Sequence, residues 1–343
     1  MKSQTPILAI FSPQPGVGKT TLVQHIGCIL SQQDYKVLLV DLDPSADLTR
    51  RVLTKAQLRQ IHDAGGTVYD AIVNFEEEGM PLAVPTVWSI GDGLKLLAGD
   101  LRLSEFDEGH ASAWSLVAHN NEFSAARIMG YRRLIELALQ ECSADIVLVD
   151  LGSQLSSLNR SILTGCTDVI IPVTPDSVAL QTLKVLGDRL GQWRHDWEAA
   201  AKQPACQPIM GIAGPVNPLG YFINQNGSHL QTDSYDPRLV VDRLPITYGR
   251  HVLNRVGDHP TLSKDPHYFG SIRNYHTLLE ISEPIRKSVF ELGAADGAVG
   301  SIFQLTQVAR NNFETIANEI TSRLGIKHSA AAAIPNESTG EAS

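Results

Sequence analysis

The chain has 343 residues, a length that suits one large α/β domain or two smaller ones. Its 28 Lys and Arg against 37 Asp and Glu give a formal net charge of −9, which excludes a uniformly basic surface but leaves room for a local basic patch. The cysteines are widely spaced and form no C-x-x-C pair, which is typical of reduced thiols inside the cell. No apolar run reaches the roughly 18 residues of a membrane span, and the N-terminal apolar stretch is too short for a signal peptide, so we expect a cytoplasmic protein.

In chain order, short runs rich in Val, Ile and Leu alternate with segments of helical periodicity. This alternation predicts an α/β fold with a mostly parallel, twisted sheet and helices on both of its faces. The predicted strands are residues 7–11, 36–41, 94–97, 145–150, 168–173 and 209–215. The predicted helices are residues 20–33, 130–142, 177–193, 276–292 and 302–324.

Two segments do not follow this alternation. Residues 216–275 are rich in Asn, Gly, Pro, His and Tyr and have little periodicity, so we expect either a functional excursion or a partly ordered loop. Residues 326–343 combine an alanine run with polar residues, which is typical of a disordered tail. Residues 1–325 are predicted to form a single domain that carries the excursion.

The loop after the first predicted strand has the composition of an anion site. Residues 12–20 read Ser-Pro-Gln-Pro-Gly-Val-Gly-Lys-Thr. Gly16 and Gly18 allow the backbone to wrap an anion, which is then bound by N–H groups at a helix N-terminus. In such a loop the Lys19 ammonium reaches the outer phosphates of a nucleotide, and the Thr20 hydroxyl binds Mg²⁺.

Acidic residues follow two of the predicted strands. Asp41 and Asp43 belong to an Asp-Leu-Asp-Pro segment, and Asp150 ends the most regular strand of the chain. Because Mg²⁺ keeps several waters in its octahedral shell, one or two such side chains are enough to hold it. A carboxylate before a proline is also a common turn residue, so Asp43 gains significance only beside the intact loop at residues 16–20.

Four motifs in this order resemble the ParA/MinD ATPases, whose phosphate loop is a deviant Walker A motif. They are the loop at residues 12–20, the segment 41–44, Asp150 at the position of the Walker B acid, and residues 168–175. The resemblance covers roughly residues 5–215 and 276–325. It implies a P-loop NTPase fold, ATP and Mg²⁺ as ligands, and ATP hydrolysis, which we expect to be slow because Gln14 carries no charge.

The resemblance also implies roles for individual residues. Lys19 and Asp43 are the expected catalytic residues, with Asp43 aligning the attacking water. The expected magnesium residues are Thr20 as a direct ligand, Asp150 through a metal-bound water, and Asp41 as a support of the ligand shell. The expected nucleotide contacts are Gln14, Pro15, Gly16, Val17, Gly18, Lys19, Thr20, Thr21 and, for the adenine, Asn217, although the Asn-Pro pair at 217–218 also suits a simple turn.

The chain departs from the family at two places. Gln14 stands where the family has a signature lysine that contacts the nucleotide of the opposing subunit, and Pro15 follows it in place of glycine. Gly152 and Ser153 stand where a Pro-Pro pair is usual. Three outcomes are open: hydrolysis is slower, another cation such as Arg160 or Lys184 takes the place of the lysine, or the protein is a binding-only switch.

Partners are implied by the resemblance as well. We expect an ATP-dependent homodimer, an adaptor partner of the ParB type, and no membrane binding, because the C-terminus lacks a basic amphipathic helix. Non-specific DNA is a further expected partner, since arginines are concentrated in the second half of the chain. These basic residues are Arg238, Arg243, Arg250, Arg255, Arg273, Arg286 and Lys287. Two functions remain open: a ParA-like ATPase that positions a plasmid, chromosome region or protein cargo on DNA, and a regulatory ATP-binding switch with weak hydrolysis that acts through a protein partner at residues 216–275.

Overall fold

The computed structural model describes residues 4–211, 213–225, 236–257, 260–273 and 275–326. Eight strands within these residues form one sheet. The strands are β1 (Ile7–Ile10), β2 (Val37–Asp41), β3 (Trp88–Gly91), β4 (Leu94–Leu97), β5 (Ile146–Asp150), β6 (Asp168–Val173), β7 (Asn217–Asn224) and β8 (Tyr268–Ile272).

The sheet is parallel except at one edge. Its strand order is β3-β4-β2-β5-β1-β6-β7-β8, and β3 alone runs antiparallel to its neighbour. The central strands are buried on both faces, which explains why their sequences are nearly continuous apolar runs. In register, Asp150 of β5 lies opposite both Ile10 of β1 and Asp41 of β2, so the carboxyl ends of three strands meet at one edge.

Helices cover both faces of the sheet. The longer ones are α1 (Lys19–Gln32), α3 (Lys55–Asp63), α4 (Val68–Glu78), α5 (Asp107–Val117), α7 (Gly130–Cys142), α8 (Ser157–Gly165), α9 (Ser177–Ala200), α11 (Pro237–Thr247), α12 (His276–Ile285) and α13 (Ser301–Leu324). The short ones are α2 (Asp47–Val52), α6 (Glu122–Ile128) and α10 (Gln207–Met210), and a π-helical turn at Tyr248–Val252 continues α11. Within the described part of the chain, no helix combines the length and apolar character needed to cross a bilayer.

Three apolar clusters hold the elements together. One packs α4, α7, α8, α9 and α11 against one face of the sheet, and a second packs α1, α12 and α13 against the other. The third lies away from the sheet, where Trp197 and Ala200 of α9 contact residues of α5, α6 and α10. This cluster explains why α9 runs on to Ala200, seven residues beyond the predicted end at 193.

The α/β prediction is confirmed, but the strand predicted at residues 209–215 is wrong. Ile209 and Met210 lie in α10 and are buried in the third cluster, whereas the strand follows later as β7. The sequence pattern does not predict β7, because its early residues include Pro218 and Gly220, which are poor strand formers. A register shift between β6 and β7 accommodates Pro218, and Gly220 is required since a Cβ there would approach the His267 carbonyl oxygen to 2.2 Å.

The expected excursion at residues 216–275 is also wrong. This stretch contributes β7, α11 and β8, so it completes the sheet. The helix predicted at 276–292 ends early at Ile285, because Pro284 interrupts its hydrogen bonding and Arg286 adopts a left-handed backbone with φ of 57°. The predicted disordered tail lies outside the described residues apart from Ile326.

Candidate active site

The loop between β1 and α1 has the backbone that the sequence predicts for an anion cradle. Gly16 and Gly18 have φ of +73° and +80°, a left-handed conformation that favours glycine. Gly18 precedes the first residue of α1, and no side chain caps this helix within the described structure. The N–H groups of its first turn, together with the positive end of the helix dipole, therefore point to an anionic ligand.

Lys19 is held inside this loop. Lys19 is only 7% exposed. Its ammonium donates to the Ser153 hydroxyl and, at 3.5 Å, to the Gln14 carbonyl. Burial lowers the pKa of Lys19, and the carboxylates of Asp150 and Asp43 act in the opposite direction. The ammonium is thus placed between the loop and the acidic strand ends, where a phosphate could bind it.

Asp150 is fully buried at the end of β5, and neither carboxylate oxygen forms a hydrogen bond of ordinary geometry with the described residues. Burial and the neighbouring Asp41 raise its pKa well above the usual range, while the Thr20 hydroxyl and Lys19 lower it. A buried carboxylate without donors is costly unless a cation or water satisfies it. Thr20 and Asp150 therefore fit a magnesium site, in which two side-chain oxygens suffice.

Asp41 is placed differently from Asp150. One of its oxygens accepts from the backbone N–H of Thr49 at 2.8 Å and from the Thr49 hydroxyl at 2.6 Å, and the other accepts from the Asp43 N–H at 3.3 Å. Burial raises the pKa of Asp41 to about 7 against these hydrogen bonds. Because both oxygens already have donors, Asp41 fits the predicted supporting role better than that of a direct ligand.

Asp43 lies on the open side of the site. Its carboxylate accepts from the Ser45 N–H at 2.8 Å and lies beside Gly152, whose hypothetical Cβ would be 3.2 Å from Asp43 Oδ1. Asp43 lines a pocket of about 360 Å³ together with Asp107 and the loop that follows β5. Ser153, the partner of Lys19, also lines this pocket, so the segment at residues 43–45 and the loop after β5 face each other across it.

Gln14 and Pro15 occupy the outer part of the loop, and Val17 its buried part. The Gln14 amide donates to the Thr174 hydroxyl at 2.7 Å and to Asp176 at 3.3 Å, so it is bonded within its own subunit. Val17 is fully buried, and its carbonyl accepts from the Asn224 amide at 2.8 Å.

The placement of Asn217 contradicts the sequence prediction. Asn217 begins β7 and pairs with Asp168 at the start of β6, so it lies at the opposite edge of the sheet from the loop. Asn224, at the other end of β7, is the residue that reaches the loop and was missed. It lines a small cavity beside Gly18 and Thr21, walled by Ile272, Tyr275 and Leu279. Asn224 directly follows the apolar run Tyr-Phe-Ile, just as Asp41 and Asp150 directly follow apolar runs. This pattern is the signal in the sequence that could have identified it.

The two candidate substitutes for the signature lysine differ in their surroundings. Arg160 donates to Asp196 of α9 at 2.7 Å, and its guanidinium lies 3.6 Å from the centre of the Trp114 ring. These contacts hold Arg160 among α5, α8 and α9 of its own subunit. Lys184 is exposed on α9 and forms no ion pair with the described residues.

Comparisons with known proteins give the family and the fold of this chain. A family model described as AAA domain matches residues 5–200. The sporulation initiation inhibitor protein Soj of Bacillus subtilis is 28% identical over 181 residues, which cover 52% of this chain and 62% of Soj. The chain spans only 43% and 50% of the lengths of two relatives from Rhizobium rhizogenes and Sinorhizobium fredii.

Solved structures share the fold at low identity. A Corynebacterium diphtheriae protein has a TM-score of 0.68 at 17% identity, covering 93% of this chain and 98% of that chain. The septum site-determining protein MinD of Pyrococcus horikoshii, solved with Mg-ADP, has a TM-score of 0.57 at 16% identity, covering 94% of this chain and 98% of that chain. At these identities the likeness shows the arrangement of strands and helices.

Proposed function

The chain belongs to the AAA domain family and, within it, to the ParA/MinD type of P-loop ATPases, and on this basis we propose that it binds ATP with Mg²⁺ and hydrolyses it slowly. The observation that carries the proposal is the meeting of Lys19, Thr20 and Asp150 at one edge of the sheet. The Asp150 oxygens are buried beside the Thr20 hydroxyl and form no hydrogen bond of ordinary geometry with the described residues. This arrangement leaves positive charge and N–H groups for phosphates and a carboxylate for a metal.

Each residue has a defined task in this proposal. Magnesium, held by Thr20 and through water by Asp150, would neutralise charge on the phosphates. Lys19 and the first-turn N–H groups of α1 bind the phosphates, and Asp43 accepts a hydrogen bond from the attacking water and aligns it. Phosphoryl transfer depends mostly on such positioning and charge stabilisation, so a site without a second basic residue is expected to turn over slowly.

We further propose that ATP binding drives formation of a homodimer. Gln14 is neutral and bonded within its subunit, and Arg160 is paired with Asp196. Of the two basic candidates, Lys184 is the one exposed for contact with a second copy. Sedimentation with and without ATP tests this: Lys184→Ala should weaken the dimer, and Arg160→Ala should leave it intact. If dimerisation is unchanged in both variants, neither residue replaces the signature lysine.

The dimer is proposed to bind DNA non-specifically and to position a plasmid, chromosome region or protein cargo with an adaptor protein. Support comes from four arginines exposed on and after α11: Arg238, Arg243, Arg250 and Arg255. Two other basic residues named from the sequence are engaged elsewhere, because Arg286 donates to the Leu53 carbonyl and Lys287 pairs with Asp296. A dimer doubles the exposed set, which favours phosphate binding that weakens with salt.

Co-sedimentation with DNA and with lipid vesicles, each with and without ATP, tests the proposal against the regulatory switch. ATP-dependent, salt-sensitive retention on DNA that is lost in Lys19→Ala supports the positioning ATPase. Retention on neither surface, with measurable ATP binding, supports a switch that acts through a protein partner. Such a switch would dock on surfaces of the folded domain, since the described part of residues 216–275 contributes the strands β7 and β8 and the helix α11.

A further inference from the structure

The side chain of Gln14 takes part in a directed chain of hydrogen bonds that crosses from the phosphate loop to α9. Its amide nitrogen donates to Thr174 Oγ1 at 2.7 Å and to Asp176 Oδ2 at 3.3 Å. The Thr174 hydroxyl in turn donates to the same Asp176 oxygen. Thr174 is 3% exposed, so this chain is shielded from water at its centre.

The direction of the chain is set by chemistry. The hydroxyl proton of Thr174 is committed to the Asp176 carboxylate, which leaves an oxygen lone pair for the Gln14 N–H. A 180° flip of the Gln14 amide would place its oxygen against the Asp176 carboxylate, where neither group has a proton to donate. The assigned orientation is therefore the favourable one. The Gln14 amide oxygen is buried and has no hydrogen-bond partner among the described residues.

Asp176 serves two elements at once. Its Oδ1 accepts from the Ala179 N–H at 3.0 Å and caps the N-terminus of α9, while its Oδ2 accepts from residues 14 and 174. The two loops are neighbours because β1 and β6 are adjacent parallel strands, with Ile10 opposite Ile170. Pro13 and Pro15 restrict the backbone on both sides of Gln14, and the hydrogen bonds to Thr174 and Asp176 fix the direction of its side chain.

We propose that Thr174 and Asp176 are positioning residues that hold residue 14 within its own subunit. The same two residues would also hold a different side chain at position 14. A lysine placed at position 14 would have its ammonium beside Asp176 and would form a charge-assisted bond there, which is roughly twice as strong as a neutral one. The Asp176 carboxylate, and not the identity of residue 14 alone, then decides whether this position can act across a dimer. This inference rests on the proposed ATP-driven dimer.

Lysine substitution with and without the carboxylate is the deciding experiment. Gln14→Lys alone should form less ATP-dependent dimer than the same substitution without the Asp176 carboxylate, because Asp176 holds the lysine within its own subunit. Gln14→Lys combined with Asp176→Asn should increase the dimer fraction in sedimentation at equal protein concentration. Asn is chosen because it caps helices as well as Asp does, so α9 is preserved. Gln60→Lys, on the exposed face of α3, is the matched control for the added charge.

A second measurement needs no nucleotide and separates this inference from the proposed function. Thr174→Val should lower the thermal midpoint and remove most of the effect of a further Gln14→Ala change, whereas Thr174→Ser should restore the coupling. A wild-type protein that binds no ATP but shows the coupling would contradict the proposed function alone. Additive effects of the two substitutions on the thermal midpoint, or an equal dimer fraction for Gln14→Lys with and without the Asp176 carboxylate, would overturn the inference.

Discussion

At Asp43, the structure separates a carboxylate that faces a pocket from two that are buried behind it. Asp41 and Asp150 are fully buried, whereas Asp43 lines the 360 Å³ pocket beside Gly152. Only an accessible carboxylate can align a water molecule that attacks a bound phosphate. The three acids, which look alike along the chain, therefore support different tasks.

Asp43→Ala should slow ATP hydrolysis by about 100-fold or more, because water alignment of this kind contributes 10²–10⁴-fold. ATP affinity should change little, since the phosphates are bound by Lys19 and the loop. Phosphate release and titration with a fluorescent ATP analogue measure the two effects. Asp47→Ala is the matched control, because Asp47 lies on α2 nearby and its one ion pair among the described residues is with exposed Arg50. Equal loss of turnover in both variants would remove Asp43 from the mechanism.

Asp41 makes the stability of the protein depend on pH. Its pKa is raised to about 7 in the folded protein, chiefly by burial, and is near 3.9 in an unfolded chain. The folded state therefore holds an extra proton between these values, and the free energy of unfolding falls as the pH rises from about 4 to 7. Asp41→Asn removes this fall in the free energy of unfolding, because the amide of the introduced Asn is neutral at every pH.

We expect the free energy of unfolding of Asp41→Asn, relative to wild type, to improve between pH 5 and pH 8 by on the order of 1 to 3 kcal/mol. The comparison across pH is the informative one, since Asn must turn its NH₂ group toward the Asp43 N–H at a cost that does not vary with pH. Urea unfolding at both pH values, without Mg²⁺, measures it. Asp63→Asn on the exposed face of α3 is the control and should show no such trend.

At the scale of the elements, β7 is the strand whose ends define the site. Its first residue, Asn217, bonds to Asp168 at one edge of the sheet, and its last, Asn224, bonds to the Val17 carbonyl of the phosphate loop at the other. Asn224 is 2% exposed and lies against Gly18, where a Cβ would come within 2.5 Å of its amide nitrogen. The strand thus supports the loop directly.

Asn224→Leu should weaken ATP binding by about 10-fold, because it leaves a buried carbonyl without its donor, a loss of roughly 1 to 3 kcal/mol. Asn217→Leu is the matched control in the same strand and should leave the affinity unchanged. Titration with a fluorescent ATP analogue measures both. If Asn217→Leu weakened binding as much as Asn224→Leu, the assignment of the two strand ends would be wrong.

At the scale of the whole molecule, basic charge is unevenly placed on an acidic chain. The net charge is −9, yet Arg238, Arg243, Arg250 and Arg255 are exposed within one stretch on and after α11. Such a local patch can bind DNA phosphates despite the overall charge, and its contribution falls with salt.

Arg238→Glu combined with Arg243→Glu should reduce ATP-dependent retention on DNA and lower the slope of log affinity against log salt by about 1 to 2. Lys55→Glu combined with Arg59→Glu makes the same change in net charge on α3 and is the control. Co-sedimentation at several salt concentrations measures both. Equal loss in the two double variants would indicate a general effect of charge and no patch on α11.

The sequence by itself determined the regular, buried strands and helices. It also determined the phosphate loop, whose properties lie in consecutive residues. The runs at residues 94–97 and 168–173 and the helix at 130–142 were predicted with the observed bounds, because burial of a strand on both faces and of a helix on one face imposes a local apolar pattern. The loop from Gly16 to Thr20 was also predictable, since its positive φ angles and its charge reside in consecutive residues.

The tertiary structure alone decided which distant side chains meet. That Asn224 and not Asn217 reaches the loop depends on the direction and register of β7, whose pattern Pro218 and Gly220 disguise. The commitment of Arg160 to Asp196 and of Gln14 to Thr174 depends on contacts across 36 and 160 residues of sequence. Pattern and spacing report local conformation and burial, whereas these pairings arise from the order of strands in the sheet, which places sequence-distant loops side by side.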